Sequence, residues 1–184
     1  SGWVLMKKSF VDWVGELIHR DSPAAGLSLD VGCGVMRYAE SYRNRAFGCD
    51  PRRGVVPAAV SVADALPFAD ASFDFATSFQ CLYYVKDIDR AADELLRVLR
   101  PGSVAIVSVS GYLHLLNEHF RASRLPQVHG RAWWERLFAS VGFDLLDVNL
   151  PPRYHTPSLR GQVSHFVRPY QFFRLQVPSP QAQA

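Results

Sequence analysis

The chain has 184 residues, of which 48% are hydrophobic and 20% are charged, and its formal net charge is +3. This length suits one domain that buries its own core without disulfides or a structural metal. The basic residues are scattered, which argues against a dedicated nucleic-acid surface. Three cysteines without a Cys-x-x-Cys pair indicate reduced thiols rather than metal ligands. Because we find no apolar run long enough to span a membrane and no charged-then-apolar leader, a cytoplasmic location is expected.

The first part of the chain predicts a helix, a strand and a sharp glycine turn. Apolar residues recur at helical spacing over residues 3–20, and the apolar run at residues 27–31 predicts a buried strand. Gly32 and Gly34 then turn the chain into a short helical segment, expected over residues 36–43. Glycine lacks a Cβ and a helix N-terminus carries partial positive charge, so this turn predicts a ligand cradle.

An acidic residue follows the next predicted strand. Residues 45–49 form that strand, and Asp50 comes directly after it, twenty positions beyond Asp30. This spacing suits a carboxylate that binds a ribose hydroxyl at the end of the neighbouring strand. Two prolines and a glycine in residues 51–57 predict that the usual crossover helix is missing or much reduced. A third strand is expected at residues 58–63.

The rest of the chain predicts a mostly parallel sheet, because strands alternate with helices. After a turn at residues 69–72, strands are expected at residues 73–79, 104–109, 143–150 and 165–177, and helices at residues 87–99 and 131–141. Pro101-Gly102 closes the first of these helices and Gly142 the second. The second helix should bury four apolar side chains: Trp133, Leu137, Phe138 and Val141. Residues 111–130 are irregular and aromatic-rich, and a single domain over residues 1–177 with a disordered tail at 178–184 is expected.

Five motifs stand in the order and spacing of a known family: Leu-Asp-Val-Gly-Cys-Gly, Gly-Cys-Asp-Pro, Asp-Ala-Leu-Pro-Phe, Ser-Phe-Asp-Phe-Ala-Thr-Ser and Leu-Leu-Arg-Val-Leu-Arg-Pro-Gly. On these motifs the chain resembles the class I S-adenosylmethionine-dependent methyltransferases, in particular the small-molecule branch related to ubiquinone and menaquinone methyltransferases. The resemblance implies an α/β, Rossmann-like fold with helices on both faces. Its seven-stranded, mostly parallel sheet would have the order 3-2-1-4-5-7-6, with strand 7 antiparallel. S-adenosylmethionine would lie across the carboxyl ends of strands 1 to 4.

The resemblance also implies a role for each motif in holding this cofactor. Gly32 and Gly34 would let the backbone approach its methionine part, and Asp30 would help hold its ammonium group. Asp50 would accept hydrogen bonds from both ribose hydroxyls.

The later motifs would contact the adenine and the sulfonium. Asp64 would accept from the exocyclic amine of adenine, the Ala65 N–H would serve a ring nitrogen, and Leu66 would pack on the ring face. Two residues just after strand 4, Phe79 and Gln80, would lie next to the sulfonium and line the entrance for the acceptor.

Two positions depart from the family pattern. Met36 stands where the family has its third glycine, so either its flexible side chain rotates away or it blocks the cofactor pocket. Tyr84 stands where many relatives carry histidine. Tyr84 and His129 are the candidates for removing a proton from an acceptor, which is needed only if the acceptor must lose one.

The leading hypothesis is methyl transfer to an oxygen, nitrogen or carbon of a small-molecule acceptor, with no nucleic-acid or membrane partner. The alternative, motivated by Met36, is a protein of this fold that transfers no methyl and serves as a binding partner or regulator. A dinucleotide-dependent oxidoreductase fits less well, because Arg37 replaces the last glycine of the pattern. A nucleic-acid base methyltransferase lacks its Asn/Asp-Pro-Pro-aromatic sequence at the strand 4 exit. The sequence gives no basis for an oligomeric state.

Overall fold

The structure, a computed structural model, describes residues 2–52, 59–110, 129–151 and 170–179. In chain order its helices and strands are α1 (Gly2–Asp21), β1 (Leu27–Val31), β2 (Arg45–Asp50), β3 (Ala59–Val60), β4 (Phe73–Phe79), α2 (Ile88–Val98), β5 (Leu99–Ser110), α3 (Arg131–Val141), β6 (Asp144–Asn149) and β7 (Tyr170–Gln176). Within those ranges, no helix has the length and apolar character that crossing a membrane requires.

The described strands form one seven-stranded sheet in the order β3-β2-β1-β4-β5-β7-β6. β1 pairs in parallel with β2 and β4, and β4 pairs in parallel with β5. β7 runs antiparallel to both β5 and β6. The α/β fold and strand order implied by the family resemblance are therefore confirmed. Because these parallel strands point the same way, the carboxyl ends of β1, β2, β4 and β5 lie side by side at one edge of the sheet.

Apolar clusters cover both faces of the sheet. The alternation of side chains along β4 sends Phe75 to the face under α1 and Ala76 to the opposite face. Ile106 of β5 joins Phe75 under α1, while Leu95 of α2 and Phe138 of α3 cover the other face. Burial on both faces explains why β4 and β5 are so rich in apolar residues.

α2 ends earlier than the sequence predicts. Asp87 begins the helix by accepting a hydrogen bond from the Arg90 N–H at 3.0 Å. The helix stops at Val98, and Pro101-Gly102 lie inside β5 instead of closing the helix. Around them the pairing of β4 with β5 shifts register, and Gly102 takes a φ of +82°. The Pro-Gly pair therefore serves an irregular start of β5.

The helical segment predicted over residues 36–43 is wrong. That stretch contains a single 3₁₀ turn, Ala39–Ser41. Gly32, Gly34 and Met36 take φ values of +73°, +53° and +48°. These left-handed residues cannot start a right-handed helix, so the chain leaves β1 through a series of tight turns. The third strand, Ala59–Val60, is also shorter than the predicted residues 58–63.

α3 has its predicted ends but a different buried face. Gly142, with a φ of +108°, caps the helix by donating to the Ala139 carbonyl at 3.1 Å. Leu137 and Phe138 are buried as predicted, whereas Trp134 rather than Trp133 is the buried tryptophan. Trp134 lies three and four positions before those two residues and so lies at the centre of their helical stripe, whereas Trp133 lies at its margin and packs against the core only in part.

Some predictions fall outside the described residues. They concern most of the link after Asp50, the aromatic-rich stretch, the first residues of the last strand and the tail. The corresponding residues are 53–58, 111–128, 165–169 and 180–184.

Candidate functional site

The glycine turn after β1 is fixed to the end of β2. The Gly32 and Cys33 N–H groups both donate to the Cys49 carbonyl, at 2.8 and 3.1 Å. A Cβ on Gly32 would lie 2.4 Å from the Cys81 sulfur, so this glycine allows the turn to pack against the loop after β4. A Cβ on Gly34 would meet only the tip of the Arg52 side chain, at 3.1 Å. Gly34 therefore keeps open the space in front of the turn.

Met36 points away from that space. Its sulfur lies 2.9 Å from the position that a Cβ on Gly48 would occupy, and the Cys33 sulfur lies 2.5 Å from the same position. The Met36 side chain therefore turns towards β2, where the absence of a side chain on Gly48 leaves room for it. Of the two outcomes left open for Met36, the structure shows the one in which the side chain rotates away.

A cavity of about 460 Å³ lies beside the turn, at the carboxyl ends of β1 and β4. We call it the glycine-turn cavity. It is lined by five of the predicted cofactor-binding residues: Asp30, Gly32, Gly34, Phe79 and Gln80. Phe10 and Val14 of α1 also line it, so the first helix forms one wall of this cavity.

A neighbouring cavity of about 420 Å³ begins at the end of β2. We call it the Asp50 cavity, because Asp50 lines it together with Pro51, Cys81 and Tyr84. Gly32, Arg52 and Gln80 line both cavities. The predicted ribose-binding carboxylate thus lies next to the predicted methionine-binding turn, with Arg52 at the boundary.

Asp30 is a buried carboxyl group that faces the glycine-turn cavity. The Thr77 hydroxyl donates to Asp30 Oδ1 at 3.0 Å, and the Tyr42 hydroxyl in turn donates to Thr77 Oγ1. Burial raises the pKa of Asp30 to about 7, although the Thr77 hydrogen bond lowers it, and the nearby Asp50 raises it further. A cation placed in the cavity would favour the ionised form of this carboxyl group.

Asp50 is buried at the end of β2 and accepts four hydrogen bonds. Its Oδ2 atom accepts from the Gly34 N–H at 3.0 Å and from Arg52 Nη2 at 3.2 Å. Its Oδ1 atom accepts from the Arg52 N–H at 3.0 Å and from Arg52 Nε at 2.9 Å. The hydrogen bonds from the Arg52 side chain are the main reason why the pKa of Asp50 lies below its ordinary value. Sequence reasoning missed Arg52, whose only signal was a basic residue two positions after a strand-end acid.

The segment predicted to bind adenine is fastened to α2. The Leu66 N–H donates to Glu94 Oε2 at 2.8 Å, and Leu66 itself is buried in the core. The Ala65 N–H donates to the Val62 carbonyl at 3.2 Å, and Asp64 is partly exposed. None of Asp64, Ala65 and Leu66 is among the described residues that line the two cavities.

Gln80 directly follows β4 and adopts a left-handed conformation, with a φ of +53°. Its N–H donates to the Ser108 carbonyl at 3.0 Å, and its Oε1 atom accepts from the Tyr83 hydroxyl at 2.7 Å and from the Ser110 hydroxyl at 2.6 Å. These contacts hold an otherwise unfavourable backbone conformation. Ser108 and Ser110 were also missed, because their contacts join β5 to the loop after β4 and leave no local pattern.

The two residues predicted to act on the acceptor lie in different places. Tyr84 is 55% exposed and lines the Asp50 cavity. His129 stacks on Trp133 with ring centroids 3.5 Å apart, and burial lowers its pKa. His129 is not among the described residues that line either cavity.

Aromatic rings form one wall of the glycine-turn cavity. Phe79 lies between Tyr38 and Phe172, with ring centroids 5.5 and 5.7 Å away. Phe10 and Tyr170 continue this wall, 5.6 Å apart. The cavity therefore combines an acidic, glycine-lined side with an aromatic side.

Comparisons with known proteins match the region that builds this site. A family model described as a methyltransferase domain matches residues 29–107. Malonyl-(acyl-carrier protein) O-methyltransferase from Methylococcus capsulatus is 37% identical over 97 residues, which cover 53% of this chain and 33% of that protein. An uncharacterized methyltransferase from Mycobacterium avium is 31% identical over 148 residues, which cover 66% of this chain and 58% of that protein. The chain thus spans about a third of the first relative and just over half of the second.

A solved structure shows the same fold. It is an S-adenosylmethionine-dependent methyltransferase from Thermotoga maritima, described as a possible histamine N-methyltransferase. It superimposes with a TM-score of 0.69 at 19% sequence identity, over 95% of this chain and 92% of that chain. At this level of identity the likeness concerns the fold alone.

Proposed function

We propose that this chain is a class I S-adenosylmethionine-dependent methyltransferase that methylates a small organic acceptor, since residues 29–107 match a methyltransferase domain and the sheet has the strand order of that fold. The proposal names only the class of acceptor, because the chain covers only part of the length of its relatives. The observation that carries it is the meeting of Asp30, the glycine turn and Asp50 at one edge of the sheet, with Met36 turned aside.

The residues present fit S-adenosylmethionine, the cofactor of this family. When bound, it supplies a methyl group that its sulfonium already makes electrophilic. Gly34 leaves space for a ligand to approach the backbone of the turn, and the buried Asp30 carboxyl group suits an ammonium group. Asp50 would hold the ribose, and Phe79 and Gln80 would lie beside the reacting centre. The adenine contacts proposed for Asp64, Ala65 and Leu66 are supported by their motif alone.

The protein then has to align the acceptor and exclude water. The aromatic wall of Tyr38, Phe79 and Phe172 favours an acceptor with a largely apolar body, and α1 covers one side of the cavity. Tyr84 and His129 remain the proposed candidates for proton removal. The lowered pKa of His129 favours its neutral form, which can accept a proton.

The alternative of a fold without methyl transfer was motivated by Met36. Its side chain lies against β2, and it is not among the described residues that line the glycine-turn cavity. Met36 therefore gives no support to that alternative, because its side chain does not obstruct the glycine turn. The proposal also includes a single domain over residues 1–177 and a cytoplasmic location, which the free thiols of Cys33, Cys49 and Cys81 favour.

Calorimetric titration with S-adenosylhomocysteine tests the cofactor site. We expect binding by the unchanged chain and a roughly 10- to 100-fold weaker affinity for Asp50→Asn, because the amide loses the charge that strengthens hydrogen bonds from the ribose. Asp93→Asn, an exposed change on α2, should leave the affinity unchanged. Formation of S-adenosylhomocysteine from S-adenosylmethionine, followed with a panel of phenols, amines and carboxylic acids, then tests methyl transfer. Absence of cofactor binding in a folded sample would contradict the proposal.

A further inference from the structure

The Asp50 carboxylate has its hydrogen-bonding capacity filled by the chain itself. A carboxylate offers about four lone-pair positions, and Asp50 accepts four hydrogen bonds. Two come from backbone N–H groups, those of Gly34 and Arg52, and two come from the Arg52 guanidinium. The two ribose hydroxyls of the proposed function would need the same oxygen atoms. One pair of donors must therefore leave before the ribose can bind.

The backbone donors are held in place. The Gly34 N–H belongs to the turn that Gly32 and Cys33 fasten to the Cys49 carbonyl, and the Arg52 N–H is two residues along the same chain from Asp50. The Arg52 side chain is different, because it is 68% exposed and contacts the carboxylate from the solvent side. An ion pair with so exposed a partner is weak, so its rupture costs little.

The Arg52 guanidinium also lies between the two parts of the proposed cofactor site. Arg52 lines both the glycine-turn cavity and the Asp50 cavity, and its Nη2 atom lies 3.1 Å from where a Cβ on Gly34 would be. The side chain thus extends from the Asp50 carboxylate to the glycine turn, across the boundary between the two cavities. A cofactor whose ribose lies at Asp50 and whose methionine part lies at the turn has to cross that boundary.

We infer that Arg52 is a displaceable latch on the cofactor site: cofactor binding requires its guanidinium to leave Asp50, and the two ribose hydroxyls replace its two N–H donors. This inference rests on the proposed function. The exchange conserves the number of hydrogen bonds at the carboxylate, two leaving and two arriving. The latch lowers cofactor affinity by the cost of breaking the ion pair, and it keeps the buried carboxylate paired when the site holds no cofactor.

Arg52→Ala tests the latch by calorimetry with S-adenosylhomocysteine and with its 2′,3′-dideoxy analogue, which lacks both ribose hydroxyls. Without the competing guanidinium, the variant should bind S-adenosylhomocysteine about 2- to 5-fold more tightly than the unchanged chain. The dideoxy analogue needs no exchange of hydrogen bonds at Asp50, so its affinity should rise less than that of S-adenosylhomocysteine. Arg45→Ala is the matched control, because it removes the same charge from β2 at a side chain that lies over Phe47 instead of Asp50. Thermal unfolding establishes that both variants are folded.

The outcomes separate the latch from the proposed function. Equal or weaker binding of S-adenosylhomocysteine by Arg52→Ala, or an equal gain for both ligands, would overturn the latch and leave the proposed function standing. Absence of binding by both folded proteins would overturn the proposed function, and the latch with it.

Discussion

Gly48 is the residue that allows Met36 to occupy the place of a glycine. At a φ of +48°, Met36 adopts a conformation that costs an ordinary residue roughly 1–2 kcal/mol. Its side chain avoids the cavity only because the position opposite on β2 carries no Cβ, and the Cys33 sulfur shares that space. A methionine thus stands at position 36 where the family has a glycine, and Gly48 leaves room for its side chain.

Replacing Gly48 with alanine should therefore affect both stability and the cavity. The new Cβ would lie 2.5 Å from the Cys33 sulfur and 2.9 Å from the Met36 sulfur, so both side chains must shift. We expect a loss of about 1–3 kcal/mol in the free energy of unfolding, measured in urea, and weaker binding of S-adenosylhomocysteine.

Gly130→Ala is the control for this prediction, because a Cβ there meets nothing within 4 Å and its φ of −73° suits alanine. Because Gly130 is the N-cap of α3 and alanine is a poorer N-cap, its free energy of unfolding should fall by less than about 1 kcal/mol, and binding of S-adenosylhomocysteine should not change. Equal effects of the two substitutions would contradict the account of Met36.

α2 has a second task besides covering the sheet, because it holds the segment that leaves β3. Arg97 donates to the Leu66 carbonyl at 3.1 Å, to the Phe68 carbonyl at 2.8 Å and to Asp70 at 2.7 Å. It is itself oriented by Glu94, which also accepts from the Leu66 N–H. This arrangement explains why Asp-Ala-Leu-Pro-Phe and Leu-Leu-Arg-Val-Leu-Arg-Pro-Gly occur together, since one motif supplies the backbone groups and the other the arginine.

Arg97→Ala should loosen this segment. Two backbone carbonyls lose a charged donor, so we expect the free energy of unfolding to fall by about 1–3 kcal/mol. Amide hydrogen exchange should become faster at residues 64–70 while the strands stay protected. Arg90→Ala, an exposed arginine of the same helix, is the matched control and should change neither quantity. Unchanged exchange at residues 64–70 in Arg97→Ala would show that other contacts hold the segment.

The elements that the sequence predicts well are those with a strong local pattern. β1 and β4 have their predicted bounds, because each is a short apolar run that ends at glycine or polar residues. The errors at residues 36–43 and at Pro101-Gly102 arise where backbone conformation depends on tertiary contacts, here the anchoring of the turn to Cys49 and the register shift between β4 and β5. Helix periodicity alone cannot report either contact.

The candidate site also contains residues that local patterns predict and residues that only tertiary contacts reveal. Asp30, the two glycines and Asp50 were accessible from motif and spacing, and the structure brings them to neighbouring cavities. Arg52 was not accessible, because its position two residues after Asp50 does not show that its guanidinium folds back on the carboxylate. Ser110 was not accessible, because it reaches Gln80 from a different strand. Sequence patterns indicate which backbone forms the site, whereas the side chains that tune it depend on the folded arrangement.

At the scale of the whole molecule, two kinds of carboxyl group make stability depend on pH in opposite directions. Salt-bridge partners lower the pKa of Asp50 and Glu94, through Arg52 and Arg97 respectively. Their contribution to stability is present above the ordinary carboxyl pKa and is lost as the pH falls through the lowered value. Burial raises the pKa of Asp30 from 3.8 to about 7. Its contribution is full below pH 3.8 and is lost as the pH rises through about 7. The protein without cofactor should therefore be most stable at mildly acidic pH.

Asp30→Asn isolates the contribution of the buried Asp30 carboxyl group to the pH dependence of stability. Asparagine keeps an oxygen that accepts from the Thr77 hydroxyl, but it cannot ionise, so it avoids the cost of a buried charge at high pH. The free energy of unfolding of the variant minus that of the unchanged chain should rise between pH 5 and pH 8 by on the order of 1–3 kcal/mol. Urea unfolding without ligand measures this difference. Asp93→Asn, on the exposed face of α2, should show no such growth. Parallel stability curves for Asp30→Asn and the unchanged chain would mean that Asp30 is already fully ionised at pH 5, and the cavity would then carry a fixed negative charge for its ligand.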